Sequence, residues 1–126
     1  MIMITLKKLL SKENSISVVG LGYVGLPLAI SFDSFFDVVG FDINNQKIEL
    51  YKRNVDSTNE VGDAALRKSK IKFTSNINDL SKVKFHIVAV PTPVREDKTP
   101  NLNPIKSACD MIGKILTKDS VVVFES

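Results

Sequence analysis

The sequence predicts an α/β fold, in which a single domain is built on a doubly wound, mostly parallel sheet. Strand-like and helix-like segments alternate along the chain, the order that produces parallel strands with helices on both faces. Residues 85–90 (FHIVAV) form a near-continuous apolar run, typical of a strand that is covered on both faces. Residues 20–25 (GLGYVG) are rich in glycine and lie directly between the first predicted strand and the first predicted helix.

Each predicted element follows from a local residue pattern. The strands are short runs of β-branched and aromatic residues. The helices carry apolar residues at helical spacing, as with Leu28 and Phe32, or begin at a capping residue such as Asn44. Asn103 followed by Pro104 predicts a cap and a first-turn proline for the last helix. In chain order, the predicted elements are a strand at 16–19, a helix at 24–32, a strand at 37–42, helices at 44–54 and 64–68, strands at 71–74 and 85–90, a helix at 103–117 and a strand at 121–124.

Composition excludes several classes of protein. The chain has 126 residues, 44% hydrophobic and 25% charged, which suits one globular domain with its own core. The net charge of +3 is too small, and its residues too scattered, to indicate nucleic-acid binding. The single cysteine cannot form an internal disulfide, so nothing indicates an oxidising compartment.

Two segments resemble membrane or targeting signals, and both are better explained otherwise. Residues 14–32 contain no charge, but they include Gly20, Gly22, Gly25 and Pro27, which a soluble turn and helix explain. Residues 1–10 begin apolar and then become basic, the reverse of a secretory signal. We therefore expect a short amphipathic lead-in, no membrane span and a cytoplasmic protein.

The glycine-rich segment fits the pattern G-x-G-x-x-G in the context that the motif requires. Gly20 would permit the tight turn from strand to helix, and Gly22 would let the backbone approach a pyrophosphate closely. Gly25 would let the helix pack tightly against the strand. The N-terminus of that helix offers unpaired N–H groups and partial positive charge to the phosphates. The pattern predicts a Rossmann-type dinucleotide site.

Asp42 is the second element of this predicted site. It ends the second strand about 20 residues after the motif begins, where a carboxylate can accept hydrogen bonds from a ribose diol. A 2′-phosphate would be repelled there, and residues 43–46 contain no arginine to offset the repulsion. The cofactor predicted is therefore NAD rather than NADP. The alternative interpretation is a structural aspartate at a strand end beside incidental glycines.

The loop after the fourth strand is the third element. Pro91 and Pro93 would stiffen it, and Thr92 offers a hydroxyl group between them. In open α/β sheets, ligands bind in the crevice between the carboxyl ends of strands at the point where the strand order reverses. The loop would lie at that crevice, although a rigid surface turn is the alternative interpretation.

These residues resemble the N-terminal domain of the UDP-glucose/GDP-mannose dehydrogenase family, the nucleotide-sugar 6-dehydrogenases. The resemblance covers nearly all of the chain after about Ser15, and the combination of GYVGLPLA with VPTP is specific to the family. Its details are more similar to members that act on UDP-N-acetylhexosamines for bacterial surface polysaccharides such as capsule. The matching segments are GLGYVGLPLA (20–29), VVGFDIN (38–44), Lys47, Ile48 and Leu50, FTSNINDL (73–80), VAVPTPV (88–94) and FES (124–126).

The resemblance implies an oxidoreductase that converts the C6 hydroxyl of a UDP-sugar to the carboxylate with two NAD. The substrate would be a UDP-N-acetylhexosamine or UDP-glucose. Asp42 would hold the adenosine ribose, Lys47 would lie near the same end of the cofactor, and Thr92 would belong to the cofactor-side loop. The pyrophosphate would be cradled by Gly20, Gly22, Tyr23, Val24 and Gly25.

The resemblance also implies how the chain is organised. A lead-in would occupy residues 1–14 and an NAD-binding domain residues 15–126, with the family's catalytic lysine, asparagine and cysteine beyond Ser126. We expect this segment to bind NAD without turning over substrate, and the full-length enzyme to form a homodimer or higher oligomer. The alternative is a non-enzymatic NAD-sensing Rossmann module, and a 3-hydroxyacid dehydrogenase domain is disfavoured by the GYVGLPLA helix.

Other candidate functional residues receive structural interpretations. Cys109 lies at helical spacing with apolar residues and is predicted to be buried; His86 is predicted to be a strand side chain, with no metal site. The basic residues at 67–72 are predicted to form a solvated rim, with phosphate binding as the alternative. Asp33 and Asn101 depart from the family's usual glycine and aspartate without touching the predicted site.

Overall fold

A computed structural model describes residues 6–125 of the chain. Helices and strands alternate as the sequence predicts, with two short elements that it does not predict, the helix Leu6–Leu10 and the 3-10 helix Ile77–Leu80. The strands are β1 (Ile16–Val19), β2 (Val38–Phe41), β3 (Lys72–Thr74), β4 (Phe85–Val88) and β5 (Val121–Phe124). The helices are α1 (Leu6–Leu10), α2 (Gly25–Asp33), α3 (Asn45–Lys52), α4 (Asp63–Lys68) and α5 (Asn103–Ile115).

The five strands form one parallel sheet in the order β3-β2-β1-β4-β5. β1 lies at the centre, with Ile16 opposite Val38 of β2 on one side and Phe85 of β4 on the other. The chain winds outward from β1 first through β2 and then through β4, so the order reverses between β1 and β4. The prediction of a doubly wound parallel sheet is confirmed, and the reversal fixes where a crevice can open.

The core lies on both faces of the sheet. On one face, Val18 and Val38 pack with residues of α2, α3 and α4, among them Leu26 and Ile48. On the other face, Val19, Val39, Phe41 and Val88 pack against Ala108 and Ile112 of α5 and Leu80 of the 3-10 helix. Because alternate residues of each strand enter opposite cores, the central strands are mostly apolar, with Ser17 and His86 as buried polar exceptions.

Of the two helix caps predicted from the sequence, one is confirmed and the other is wrong. Asn44 caps α3, and its side-chain oxygen accepts a hydrogen bond from the Lys47 N–H at 3.1 Å. Asn103 does not cap α5 but lies inside the helix, after Leu102. The oxygen that accepts from the Asn103 N–H, at 3.0 Å, belongs to Asn101. The predicted cap is one residue too late, because the N-cap position is Leu102, whose side chain makes no capping hydrogen bond.

Cys109 is exposed, so the prediction that it is buried is wrong. It lies on α5 beside Ala108, which is buried, because α5 turns only a narrow stripe toward the sheet and Cys109 falls outside it. His86 is a fully buried side chain of β4, as predicted.

Asp33, at the end of α2, accepts a hydrogen bond from the Lys70 N–H at 3.0 Å and ties α2 to the segment before β3. The basic residues at 67–72 are exposed. Within residues 6–125, no helix is long and apolar enough to cross a bilayer. Residues 1–5 of the predicted lead-in lie outside the described part.

Candidate functional site

A crevice of about 920 Å³ opens at the carboxyl ends of β1 and β4, where the strand order reverses. Seven of the eight predicted cofactor residues line it, and the exception, Gly25, lies behind the turn. Residues that are far apart in the chain therefore meet at one edge of the sheet, as expected for parallel strands. The seven are Gly20, Gly22, Tyr23, Val24, Asp42, Lys47 and Thr92.

Gly20 and Gly25 are glycines because the protein itself leaves no room for a side chain. Gly20 has a φ of +97°, and a Cβ there would lie 2.9 Å from the backbone nitrogen of Val90. A Cβ on Gly25 would collide with the carbonyl oxygen of Gly20 and approach Ala89 at 3.4 Å. These two glycines shape the turn between β1 and α2.

Gly22 differs from its two neighbours in the motif. A Cβ added to Gly22 would meet no atom of the protein within 4 Å, and its φ lies outside the left-handed region. Packing and backbone conformation therefore do not require glycine at this position. The space that a Cβ would fill lies in the crevice, in front of the N-terminus of α2. No side chain caps that helix end, so its amide groups are available to an anion.

Asp42 holds the glycine-rich turn in place. One carboxylate oxygen, Oδ2, accepts a hydrogen bond from the Leu21 N–H at 2.9 Å, and Oδ1 accepts from the Asn44 N–H at 2.9 Å. The Lys47 ammonium lies 3.6 Å from Oδ2. The carboxylate of Asp42 therefore joins the turn after β1 to the start of α3, with further lone pairs free to accept hydroxyl groups.

Lys47 changes the charge that the 2′-phosphate of NADP would meet beside Asp42. Residues 43–46 contain no arginine, but the Lys47 ammonium lies next to the Asp42 carboxylate. Its positive charge reduces the repulsion that a 2′-phosphate would meet there. The preference for NAD over NADP stays a prediction, and the expected difference between their Kd values becomes smaller.

Tyr51 of α3 contacts the turn, and the sequence analysis did not identify it as a site residue. Its hydroxyl donates a hydrogen bond to the carbonyl oxygen of Leu21 at 3.0 Å, and the residue is 4% exposed. Burial raises the pKa of Tyr51 to about 12, with further contributions from the nearby charges of Asp56, Asp42 and Glu60. Hence the phenol stays protonated, and able to donate, at neutral pH. The sequence did offer one signal for this role, a residue with a polar hydroxyl group at a position on the buried side of α3.

The opposite wall of the crevice follows β4. Pro91, Thr92 and Pro93 line it, and Thr92 is half-buried. The chain then forms a small exposed hairpin, in which Val94 pairs with Pro100 and the Asn101 N–H donates to the Pro93 carbonyl at 2.7 Å. Pro104, Ser107, Ala108, Met111 and Glu125 complete this wall. Sequence reasoning assigned none of these five to the site: four belong to no motif, and Glu125 lies in the FES segment without a role given to it.

The other residues considered from sequence lie away from the crevice. Cys109 borders a separate small apolar groove between α5 and β5. The Nδ1 atom of His86 is 2.7 Å from the Ser17 hydroxyl, in the core between β1 and β4. Burial lowers the pKa of His86, and the backbone of Val83 offsets this only in part. Among residues 6–125, no group of His, Cys, Asp and Glu side chains could hold a metal ion.

A doubly wound parallel sheet, a glycine turn at the reversal of strand order and a carboxylate at the end of β2 define a dinucleotide-binding domain. Residues 14–126 match the UDP-glucose/GDP-mannose dehydrogenase family, NAD binding domain, and the chain belongs to this family. NAD is accordingly the cofactor of this domain.

Curated relatives agree with this assignment. The chain is 48% identical over 114 residues to Protein CapL of Staphylococcus aureus, a match that covers 90% of this chain and 27% of the relative. It is also 48% identical over 116 residues to the UDP-N-acetyl-D-glucosamine 6-dehydrogenase of Pseudomonas aeruginosa, covering 91% and 28%. The chain thus spans little more than a quarter of the length of these proteins.

Solved structures show the same fold. A UDP-D-ManNAc dehydrogenase from Pyrococcus horikoshii superposes with a TM-score of 0.81 at 34% identity, covering 89% of this chain and 28% of that one. A 3-hydroxyacyl-CoA dehydrogenase from Archaeoglobus fulgidus superposes with a TM-score of 0.64 at 18% identity, over 90% of this chain and 34% of that one. The second likeness shows the fold alone.

Proposed function

We propose that this chain is the cofactor-binding part of a nucleotide-sugar 6-dehydrogenase that oxidises the C6 hydroxyl of a UDP-N-acetylhexosamine to the carboxylate, using two NAD. The relatives at 48% identity support the class of substrate, since one is named for UDP-N-acetyl-D-glucosamine. The single observation that carries the proposed binding mode is the open space at Gly22, because neither packing nor backbone conformation in the protein requires a glycine there and the residue lines the crevice.

The roles proposed for individual residues follow from the two ends of the crevice. The turn at Gly20, Gly22 and Gly25, with Tyr23 and Val24, would surround the pyrophosphate, and the uncapped N-terminus of α2 would offset its charge. Asp42 would accept hydrogen bonds from the adenosine ribose, with Lys47 beside it. Thr92 would contact the cofactor from the β4 side.

When bound, NAD supplies the acceptor for the hydride that leaves C6 of the sugar. The residues of this chain that line the crevice would bind and orient the cofactor. We therefore propose that the catalytic groups belong to parts of the enzyme outside this segment, which alone would bind NAD but oxidise no UDP-sugar. The complete enzyme would act as a homodimer or higher oligomer.

Calorimetry with NAD⁺ tests the proposal, using Asp42→Asn as the variant and Asp110→Asn as a control with the same change of charge. Asp110 is exposed on α5 and does not line the crevice. We expect Asp42→Asn to raise the Kd for NAD⁺ by about 10-fold or more, since a hydrogen bond to a charged group is lost. The control should bind like the wild type.

The same titration with NADP⁺ should give a higher Kd than with NAD⁺. Equal Kd values for Asp42→Asn and the wild type would remove Asp42 from the site, and tighter binding of NADP⁺ would reverse the electrostatic argument. Absorbance at the wavelength of NADH, recorded with UDP-N-acetylglucosamine and NAD⁺, should not rise for this segment. A rise would contradict the proposed division of roles.

A further inference from the structure

We propose that Tyr51 is a positioning residue, which orients the peptide between Leu21 and Gly22 so that the Gly22 N–H points into the crevice toward the cofactor pyrophosphate. This inference rests on the proposed function, because it concerns how the same turn presents its amide groups. It goes beyond that proposal by assigning a role to a side chain on α3, which does not line the crevice.

Leu21 is held by hydrogen bonds on both sides of its backbone. Its N–H donates to Asp42 Oδ2 at 2.9 Å, and its carbonyl oxygen accepts from the Tyr51 hydroxyl at 3.0 Å. The Leu21 side chain is fully buried among the residues packed on that face of the sheet. The two hydrogen bonds and the packing of the side chain together fix the orientation of the Leu21 backbone.

Peptide planarity then determines the direction of the next amide group. In a trans peptide, the carbonyl of one residue and the N–H of the following residue point in opposite directions. No cis peptide occurs among residues 6–125. The Leu21 carbonyl points inward to Tyr51, which is 4% exposed, so the Gly22 N–H must point outward.

The outward direction leads into the crevice rather than into another part of the protein. Gly22 lines the crevice, and no atom lies within 4 Å of the position that its Cβ would occupy. Within the described part of the chain, the Gly22 N–H donates to no acceptor. An amide that is free, rigidly aimed and next to a helix N-terminus suits a phosphate oxygen.

The support for Tyr51 is itself rigid. Its ring packs against Phe73 with centroids 5.3 Å apart, and the residue lies in the last turn of α3. Loss of the hydroxyl would leave the Leu21 carbonyl buried without its partner, a state that costs free energy. The peptide can relieve that cost by rotating toward water, and this rotation would turn the Gly22 N–H away from the phosphate.

The test combines calorimetry with NAD⁺ and ¹⁵N-resolved NMR of the Gly22 amide in Tyr51→Phe, which removes only the hydroxyl. We expect the Kd for NAD⁺ to rise by about 3–10-fold, the effect of one hydrogen bond, and the Gly22 amide resonance to move in the free protein. One control separates positioning from stability. Ser17→Ala removes a buried hydrogen bond on the other face of the sheet and leaves the contacts of Tyr51 and Leu21 intact.

The control should bind NAD⁺ like the wild type even if its melting temperature falls as far as that of Tyr51→Phe. An unchanged Kd in folded Tyr51→Phe, or a Kd that rises equally in Ser17→Ala, would overturn the inference. If Tyr51→Phe does not fold, Phe73→Leu decides, because it loosens the packing of the Tyr51 ring: the Gly22 amide resonance should move in the free protein, and an unmoved resonance would overturn the inference. Failure of the wild type to bind NAD⁺ at all would instead contradict the proposed function.

Discussion

The two walls of the crevice are built in different ways. On the β1–β2 wall, the turn is fixed by close backbone contacts at Gly20 and Gly25 and by the hydrogen bonds that the Leu21 backbone makes with Asp42 and Tyr51. On the β4–β5 wall, a proline-bounded loop leads into an exposed hairpin, and β5 is largely uncovered, with Phe124 52% exposed.

This difference suggests a division of roles between the two walls in binding the cofactor. The contacts proposed for the pyrophosphate and adenosine ribose lie on the rigid wall, where the geometry of the chain itself determines them. The open wall presents Thr92 and apolar side chains such as Pro93 and Met111. If the division is correct, substitutions on the first wall should have large and specific effects, and those on the second wall small ones.

The largest expected effect comes from comparing Gly25→Ala with Gly22→Ala on the rigid wall. A methyl group at Gly25 meets the Gly20 carbonyl oxygen, so we expect a loss of at least about 3 kcal/mol in the free energy of unfolding. A methyl group at Gly22 meets nothing, so the free energy of unfolding should change by less than about 0.5 kcal/mol. Urea denaturation measures both values.

The same pair of variants tests binding. Gly22→Ala should stay folded yet bind NAD⁺ at least about 10-fold more weakly, because the methyl group occupies the space proposed for the pyrophosphate. A Gly22→Ala protein that binds NAD⁺ normally would show that this space is not used. A Gly25→Ala protein with wild-type stability would show that the turn is less constrained than its contacts indicate.

The second prediction concerns the join between the two walls, where His86 of β4 meets Ser17 of β1. Burial lowers the pKa of His86 in the folded protein, whereas an unfolded histidine titrates near about 6.5. The unfolded state therefore binds more protons below that pH. The contribution of neutral His86 to the free energy of unfolding should be fully present above about pH 6.5 and should decrease as the pH falls below that value.

Urea denaturation of the wild type and of His86→Gln, each at several pH values from 7.5 to 5, measures this effect. The wild type should lose stability across this range and the variant should lose less. Asp56 does not contribute to the loss of stability in this pH range. Burial raises the pKa of its carboxyl group, but hydrogen bonds from Val61, Gly62 and Thr58 outweigh burial, so that the pKa is lowered overall. Its contribution is lost only at lower pH, below about 4. Parallel pH profiles would contradict the prediction.

The smallest expected effect is that of Thr92→Val on the open wall. Thr92 makes no hydrogen bond to another described residue, so the free energy of unfolding should change by less than about 0.5 kcal/mol. Loss of one neutral hydroxyl should raise the Kd for NAD⁺ by no more than about 10-fold. An effect on binding as large as that of Gly22→Ala would mean that the walls contribute equally.

The fold was predictable because its signals are local and repeated. Residues 85–90 are apolar without interruption, and β4 is buried on both faces as that pattern requires. The 3-10 helix at Ile77–Leu80 was missed because four residues are too few for a periodic pattern. The burial of Cys109 was predicted wrongly because helical spacing identifies one side of a helix but not the width of the stripe that the sheet covers.

The site was predictable only where a motif demands particular residues. Gly22 and Asp42 could be identified because the chemistry of a dinucleotide restricts what stands there. Tyr51 could not, since its role depends on a hydrogen bond across thirty residues of chain that the helix pattern does not reveal. Glu125 and Met111 reach the crevice only through the packing of β5 and α5, which is a property of the folded sheet.

The contacts that hold the turn at Leu21 are all made by the protein itself. The conformational entropy of these residues is therefore lost when the chain folds and not when a dinucleotide arrives. Association with such a preorganised surface carries little ordering cost, so more of the contact energy appears as affinity. A calorimetric titration at several temperatures would then show a heat-capacity change that reflects buried ligand surface and not a loop that folds around it.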